Sequence, residues 1–320
     1  MEDSRLNYAD LIRFVLFVSG IALLYWLALR WMWDRGRGKP VRSHFDRCFR
    51  SGWSGGILLG MAGLGIACFV YGIAIEPKRL TVTKYSINSH KILSGQHVRL
   101  VFLGDLHVRE YGPRERALPD LVRSLNPDVI LHTGDFFGRR DGIESVVENL
   151  LRSWEAPQYA CEGNLDDLGD FSGVMRRAGV TVLNGTQTCT CSVRGTRLCI
   201  SGFFSGAETS IHKSLQSLSP DTFNIVLYHH PEGFPEMWNT PADLMLAGHI
   251  HGGQVRLPFY GALVTLDRFG KRWESGCFEE HGVSLVVTRG IGCEPGLPEM
   301  RFCCPPEVVV IDLIGTARGE

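Results

Sequence analysis

The sequence predicts an α/β fold carried behind two apolar helices. Three observations point that way. Short, mainly apolar stretches recur after residue 79, and most end near an Asp, Asn or His that often sits beside a glycine. Segments with helical apolar spacing lie between the first of these stretches, as in strand–helix–strand units. Two long uncharged runs precede them all.

The first run is Phe14 to Leu29, bracketed by Arg13 and Arg30 and followed by Trp31, Met32 and Trp33. Residues 14–33 make roughly 30 Å of helix, enough to cross a hydrocarbon core, with Arg30 near the end where it can snorkel. The second run, Gly55 to Ile75, carries no charge, and its Gly56-x-x-x-Gly60 spacing would admit a close helix neighbour. Tyr25, Trp26, Trp31 and Trp33 are residue types that settle at membrane interfaces. The expectation is a membrane anchor over residues 1–78 and a globular body over 79–320. Both runs lying in one leaflet would be the monotopic alternative. Six basic residues stand on each side of the hairpin: Arg35, Arg37, Lys39, Arg42, Arg47 and Arg50 against Arg5, Arg13, Lys78, Arg79, Lys84 and Lys91. Charge therefore does not orient it.

Composition narrows the function. Of 320 residues, 44% are hydrophobic and 21% charged, which excludes a disordered chain. The net charge of −1 leaves no basic field for nucleic acid, so no nucleic-acid partner is expected. The average hides a split: residues 1–78 hold 10 basic and 6 acidic residues, while the body is acidic. None of the ten cysteines has C-x-x-C spacing, and free thiols are favoured over disulfides.

Within the body, Val98–Leu103 reads as a strand ending at Gly104-Asp105-Leu106-His107, and Arg114–Ser124 as the helix after it. Val129–His132 is a strand ending at Gly134-Asp135, followed by a helix over Ile143–Trp154. A hairpin turn is expected at Arg194–Gly195–Thr196, and Phe223–Tyr228 is a strand ending at His229-His230-Pro231. Leu244–Ala247 leads into Gly248-His249-Ile250-His251, and Val283–Thr288 and Val308–Ile311 are late strands. In α/β sheets the carboxyl ends of strands are where ligands bind. Five such ends supply Asp105 and His107, Asp135, Asn164, His229, and His249 with His251. Seven oxygen and nitrogen donors suffice for two divalent cations if one carboxylate bridges them. No cysteine joins the set, which favours a catalytic over a structural site.

Gly104-Asp105-Leu106-His107, Gly134-Asp135, Gly163-Asn164-Leu165-Asp166, His229 before His230-Pro231, and Gly248-His249-Ile250-His251 together resemble the five motifs of the calcineurin-like metallophosphoesterases. The resemblance runs from about Leu100 to Leu313. The stretch Gly248–Pro258, with Arg289-Gly-Ile-Gly292, Arg301-Phe302 and Pro306-Glu307, is similar to a membrane-associated bacterial branch that includes UDP-2,3-diacylglucosamine pyrophosphatases.

The resemblance implies a four-layer αββα sandwich and a hydrolase with two divalent ions, Mn²⁺ favoured over Zn²⁺ and Fe²⁺. One ion would take Asp105, His107, Asp135 and His251, and the other Asp135, Asn164, His229 and His249. Asp135, Asn164 and His249 are accordingly expected to act in catalysis. His230 would cap the following turn or reach substrate. Arg109, Arg139 and Arg140 would contact a phosphate or remain solvated. His132 is expected to pack in the core, as are Phe203, Phe204, Ile211 and Leu215, whose alternative is a cover over the cleft. Leu165 departs from the family, which commonly has His there to protonate a leaving oxygen or stabilise the transition state. Leucine can do neither. A pyrophosphate bond, whose leaving group is already good, is the expected target. The implied function is cleavage of UDP-2,3-diacylglucosamine to UMP and 2,3-diacylglucosamine 1-phosphate in lipid A biosynthesis, at the bacterial inner membrane with the body in the cytoplasm. Another lipid-linked or soluble phosphate ester, or a metal-binding scaffold without catalysis, are the alternatives.

Overall fold

The computed structural model describes residues 8–38, 47, 49, 52–139, 142–185, 188–265, 267–295 and 298–317. Arg5, Lys39, Arg42, Arg50 and Arg140 lie outside the described residues. Two apolar helices come first, α1 (Tyr8–Gly36) and α2 (Gly52–Ala74), both long and apolar enough to cross a membrane. They pack on one another and turn exposed Leu, Ile and Phe side chains outward. The contact differs from the expected one. Gly56 and Gly60 have open space around them, whereas the Trp31 ring lies against Gly55 and the Tyr25 hydroxyl against Gly65, donating to Ala62 O at 3.1 Å. Large aromatics need a missing Cβ opposite them more than a regular small-residue spacing.

The body is the αββα sandwich that the motifs imply. The chain lays down β1 (Thr81–Ser89), β2 (His97–Leu103), α3 (Pro113–Ser124), β3 (Val129–His132), α4 (Glu144–Arg152), β4 (Gln158–Ala160), α5 (Phe171–Ala178) and β5 (Thr181–Val182). It then builds β6 (Thr188–Val193), β7 (Thr196–Phe203), α6 (Glu208–Leu215), β8 (Phe223–Tyr228) and β9 (Leu244–Ala247). A small hairpin follows, β10 (Arg256–Leu257) with β11 (Gly261–Ala262), then β12 (Gly276–Glu280), β13 (Val283–Val287) and β14 (Glu307–Gly315). One mixed sheet has the order β1-β14-β2-β3-β4-β5 and the other β12-β13-β9-β8-β7-β6. β2 through β5 run parallel, as do β7, β8, β9 and β13, while β14 is antiparallel to β2.

Alternation along each strand sorts side chains between layers. Leu100, Phe102 and Val129 face inward and meet Leu198, Ile225 and Leu246 of the second sheet. Val101, Leu103 and Ile130 face outward against Leu118 and Val122 of α3, Leu150 of α4 and Val174 of α5. On the other outer face Val226, Tyr228 and Met245 meet Ile211 and Leu215 of α6. Strands covered on both faces read as nearly continuous apolar runs, which is why β3, β8 and β9 have the bounds expected from sequence. The β6–β7 turn falls at Arg194 and Gly195, with φ of 50° and 79°. β1 alternates half-buried and exposed residues and was not expected; it joins the sheet by pairing with β14, Thr81 opposite Glu307. Phe203, Ile211 and Leu215 are core, while Phe204 is exposed. The nine described cysteines are free thiols.

The helix pair is fastened to the body at one end. Asp10, fully buried in the first turn of α1, accepts from Thr265 N at 3.0 Å and Thr265 Oγ1 at 3.1 Å, and pairs with Arg13 at 2.7 Å. Just past α2, buried Glu76 accepts from Cys303 N at 3.0 Å and from Cys304 N, and Arg301 N donates to Gly72 O at 2.9 Å. Glu76→Ala would strand two backbone N–H groups at this junction. We expect a loss of about 1–3 kcal/mol, read as a lowered Tm in detergent.

His132 is a core histidine: fully buried, its Nε2 3.1 Å from Gln158 Oε1 and its ring near Phe136 and Trp154. Burial pushes it from 6.5 down to about 4, partly offset by the Gln158 bond. The unfolded chain therefore takes up this proton first. Stability is full above about pH 6.5 and falls as pH drops toward 4, by up to about 1.4 kcal/mol per pH unit. Melting curves at pH 7 and pH 5 should show a smaller acid-side drop for His132→Asn than for the parent; equal drops would refute this assignment.

Candidate metal centre

The carboxyl ends of the central strands bring the expected residues together. Asp105 and His107 follow β2, Asp135 follows β3, Asn164 follows β4, His229 follows β8, and His249 and His251 follow β9. Five of these seven have left-handed backbones: Asp105 (φ 50°), His107 (37°), Asp135 (56°), His249 (69°) and His251 (53°). Such conformations cost non-glycine residues about 1 kcal/mol or more each, so the surroundings must hold them. Backbone bonds between the strand ends do so. Asp105 N donates to Gly134 O at 3.1 Å, His107 N to Asp135 O at 2.9 Å, and Gly292 N to Asp105 O at 2.6 Å. Glycine is required where loops meet: a Cβ on Gly163 would lie 2.2 Å from Asp135 Oδ1, and one on Gly248 2.6 Å from Asp105 Oδ2.

Each imidazole is aimed by its other nitrogen or its neighbours. His229 Nδ1 donates to Thr133 O at 2.7 Å, leaving Nε2 3.2 Å from Asp135 Oδ2. His107 Nδ1 lies 3.4 Å from Phe137 O, and its Nε2 is 3.5 Å from the same Asp135 oxygen and 3.2 Å from His251 Nε2. Asn164 Oδ1 is 3.1 Å from His249 Nδ1. Asp135 Oδ2 therefore stands between the two halves of the site.

Electrostatics fit a cation. Burial raises the Asp105 carboxyl to about 6 and lowers His107 to about 4 and His249 to about 3, and it takes His251 well below 6.5. Those imidazoles are thus neutral donors of a lone pair. Burial opposes charge on Asp135 and His229 as well, but their mutual attraction wins: Asp135 falls well below the usual carboxylate range and His229 rises to about 10. Asp105 Oδ2 is buried without a hydrogen-bond partner. Two imidazole nitrogens 3.2 Å apart also match the span of two bonds of roughly 2.1 Å to one ion. Among the described residues, groups able to hold metal form three overlapping clusters: Asp105–His107–His251, Asp105–Asp135–His229 and His229–His230–His249. The donor set fits divalent ions, and the oxygen and imidazole mixture does not select among Mn²⁺, Zn²⁺ and Fe²⁺.

His230 does not cap the following turn with its side chain; its ring packs 4.2 Å from that of His249 and its Nε2 is 2.6 Å from Ser205 Oγ. Arg109 reaches back to the loop that follows β13, with Nη2 2.5 Å from Glu294 O. Arg139 is exposed. His97 pairs with Asp312 at 2.9 Å, away from the metal centre.

Three residues at the site were not expected from sequence. Asp166 is buried and accepts from Asp135 N (2.9 Å), Phe136 N (2.8 Å) and Gly163 N (2.8 Å), tying the Asn164 loop to Asp135. Burial and the Asp135 charge nonetheless lift it to about 7. Glu294 places Oε2 3.6 Å from His251 Nε2, raised to about 7 by burial and then by Asp135 and Asp105. Arg301 is fully buried and donates to Cys304 O at 3.0 Å, Gly292 O at 3.1 Å and Arg289 O at 2.8 Å, clamping the loop behind His251. Asp166 and Arg301 stood within recognised motifs, but nothing in the spacing disclosed their partners.

Comparison with known proteins agrees with this arrangement. Residues 98–253 match the family model described as calcineurin-like phosphoesterase. The chain is 30% identical over 285 residues to the metallophosphoesterase YkuE of Bacillus subtilis, covering 84% of this chain and 98% of that one. It is 29% identical over 228 residues to the phosphodiesterase YaeI of Escherichia coli, covering 68% and 82%. It is 24% identical over 310 residues to the UDP-2,3-diacylglucosamine pyrophosphatase LpxG of Chlamydia trachomatis, covering 77% and 93%.

An amide at position 166 has one acceptor oxygen for three donors. Asp166→Asn should keep the fold yet lower metal affinity or kcat/KM about 10–100-fold, measured by metal content after dialysis and by turnover. Unchanged values in both would remove the positioning role.

Proposed function

The chain belongs to the calcineurin-like phosphoesterases, and from that premise we propose that it is a membrane-anchored pyrophosphatase that splits UDP-2,3-diacylglucosamine into UMP and 2,3-diacylglucosamine 1-phosphate. The coarser activity, metal-dependent phosphoester hydrolysis, stands on the family and on the clustered donors. Residues 1–78 serve as the anchor and 79–320 as the catalytic domain. Asp105, His107, Asp135 and His251 hold one ion and Asp135, Asn164, His229 and His249 the other, Mn²⁺ being the favoured occupant. When bound, the two ions activate water and neutralise phosphoryl charge. The chain's own residues position them: Asp135 lies between both sets, Asn164 adds a donor without adding negative charge, and Asp166 and Arg301 hold the loops that carry them.

Leu165 carries the substrate reading. Its N–H donates to Asp135 Oδ1 at 2.8 Å, so residue 165 lies against the centre, yet its side chain has no proton to give. General-acid help is worth about 10²–10⁴-fold for a poor leaving group and little for a nucleotide phosphate. A pyrophosphate bond is therefore preferred over an alkyl phosphomonoester. The anchor suits a substrate with two acyl chains, and a UDP-sugar places the body in the cytoplasm. Both helices meet the body at the start of α1 and the end of α2, consistent with a hairpin that returns to one side. The Chlamydia relative supports this substrate by name. The more similar Escherichia coli phosphodiesterase supports a second reading, the same chemistry on another phosphodiester.

The test is UMP release from UDP-2,3-diacylglucosamine by detergent-solubilised protein, scanned over Mn²⁺, Mg²⁺ and Zn²⁺, with Asp135→Asn as blank. We expect kcat/KM at least about 10²-fold above that for an alkyl phosphomonoester. Equal rates on the two would overturn the pyrophosphate reading. Hydrolysis of bis(p-nitrophenyl) phosphate without UMP release would favour the second.

A further inference from the structure

The β10–β11 hairpin begins five residues after His251, and its tip, Pro258-Phe259-Tyr260, stands out from the body. Phe259 is fully exposed with φ of 64°, and Tyr260 is 46% exposed. The tip is nonetheless rigidly built. Arg256 pairs with Glu274 at 2.8 Å, the other Glu274 oxygen accepts from Ala262 N at 3.1 Å, and Tyr260 N donates to Leu257 O at 3.2 Å. Lys271 donates to Tyr260 O and holds its ammonium 3.7 Å from the Tyr260 ring centre.

A single exposed aromatic is ordinary on a protein surface. Its location is what distinguishes this one. Three residues beyond β11, Thr265 holds Asp10 in the first turn of α1. On the other side Arg256 N donates to Phe302 O at 2.8 Å, and the Phe302 ring meets Tyr71 of α2 edge-on at 6.4 Å. The hairpin is thus braced against the body-side ends of both apolar helices. If those helices span a bilayer, its headgroups lie at that level, where Tyr, Phe and Lys are interfacial residue types. A preorganised tip also loses little conformational freedom on insertion.

We propose that the Phe259–Tyr260 tip inserts into the headgroup–acyl boundary of the bilayer holding α1 and α2, and seats the metal centre against the membrane for an amphiphilic phosphate ester. The proposal rests on the membrane-spanning reading of the two helices given above. Its strand connection runs through Gly252 and Gly253 directly to His251, so the depth of the tip sets the height of the site above the lipid.

The test uses the full chain in phosphatidylethanolamine–phosphatidylglycerol liposomes, with p-acetylphenylalanine at position 259 carrying a ketone-linked nitroxide. The native cysteines are left unlabelled. Oxygen should relax this label more than a water-soluble nickel chelate does, the reverse of a label at exposed Ser217. Nickel-dominated relaxation at both positions would overturn the proposal. The double variant Phe259→Ser, Tyr260→Ser should lose about tenfold in kcat/KM on vesicle-borne UDP-2,3-diacylglucosamine and keep full activity on bis(p-nitrophenyl) phosphate; equal losses on both would overturn it too. A label that inserts in a protein giving no UMP would refute the substrate and leave the wedge in place.

Discussion

The rest of the structure depends on one constraint: several ionisable groups must be taken out of water at a single point. Asp105, His107, Asp135 and His229 are essentially fully buried, and burial alone opposes the charged form of every one. Such a cluster is tolerable only if each group is paired, hydrogen-bonded or set to bind a cation. The fold meets this by ending several parallel strands at one place. Left-handed residues turn the side chains back toward the common centre, and backbone bonds between neighbouring strand ends hold those turns.

The same constraint explains the polar groups beneath the site. Asp166 satisfies three backbone N–H groups where the Asn164 loop crosses Asp135. Arg301 satisfies carbonyls of the loop behind His251, and Cys304 Sγ lies 3.2 Å from His251 O. Glu76, at the end of the helical segment, binds the backbone of Cys303 and Cys304. A chain of direct contacts thus runs from the apolar helices to a metal-site histidine. The apolar helices and the body share a polar junction rather than a free linker, so the attitude of the site relative to the helices is built into the fold.

Much of the site was legible because its chemistry is local and ordered. Most of these strand ends announce themselves by an apolar run that stops near a glycine and a donor residue, the His229 end lacking the glycine, and the Gly248-His249-Ile250-His251 segment places two imidazoles within three residues. Roles that depend on a distant partner were not legible. The sequence leaves Arg109 between a phosphate contact and a solvated loop residue, and His230 between a turn cap and a substrate contact; neither pattern discloses the bond of Arg109 to Glu294 O or that of His230 to Ser205. The glycine pair at 56 and 60 matched a packing motif, yet the helices meet at Gly55 and Gly65, because Trp31 and Tyr25 determine where a Cβ cannot be tolerated.

By itself the sequence determined two membrane-length apolar helices, the buried central strands of the body, and an ordered set of oxygen and nitrogen donors at their ends. These are consequences of periodicity and of short-range chemistry, which a linear chain displays directly. Only the tertiary structure decided that β1 pairs with β14, that Asp166 ties the Asn164 loop to Asp135, and that Glu294 faces His251. The same holds for Asp10 beneath Thr265. Those contacts join residues far apart in the chain. Their energies come from burial and from satisfying polar groups that become neighbours only after the two sheets have closed, so no local pattern records them.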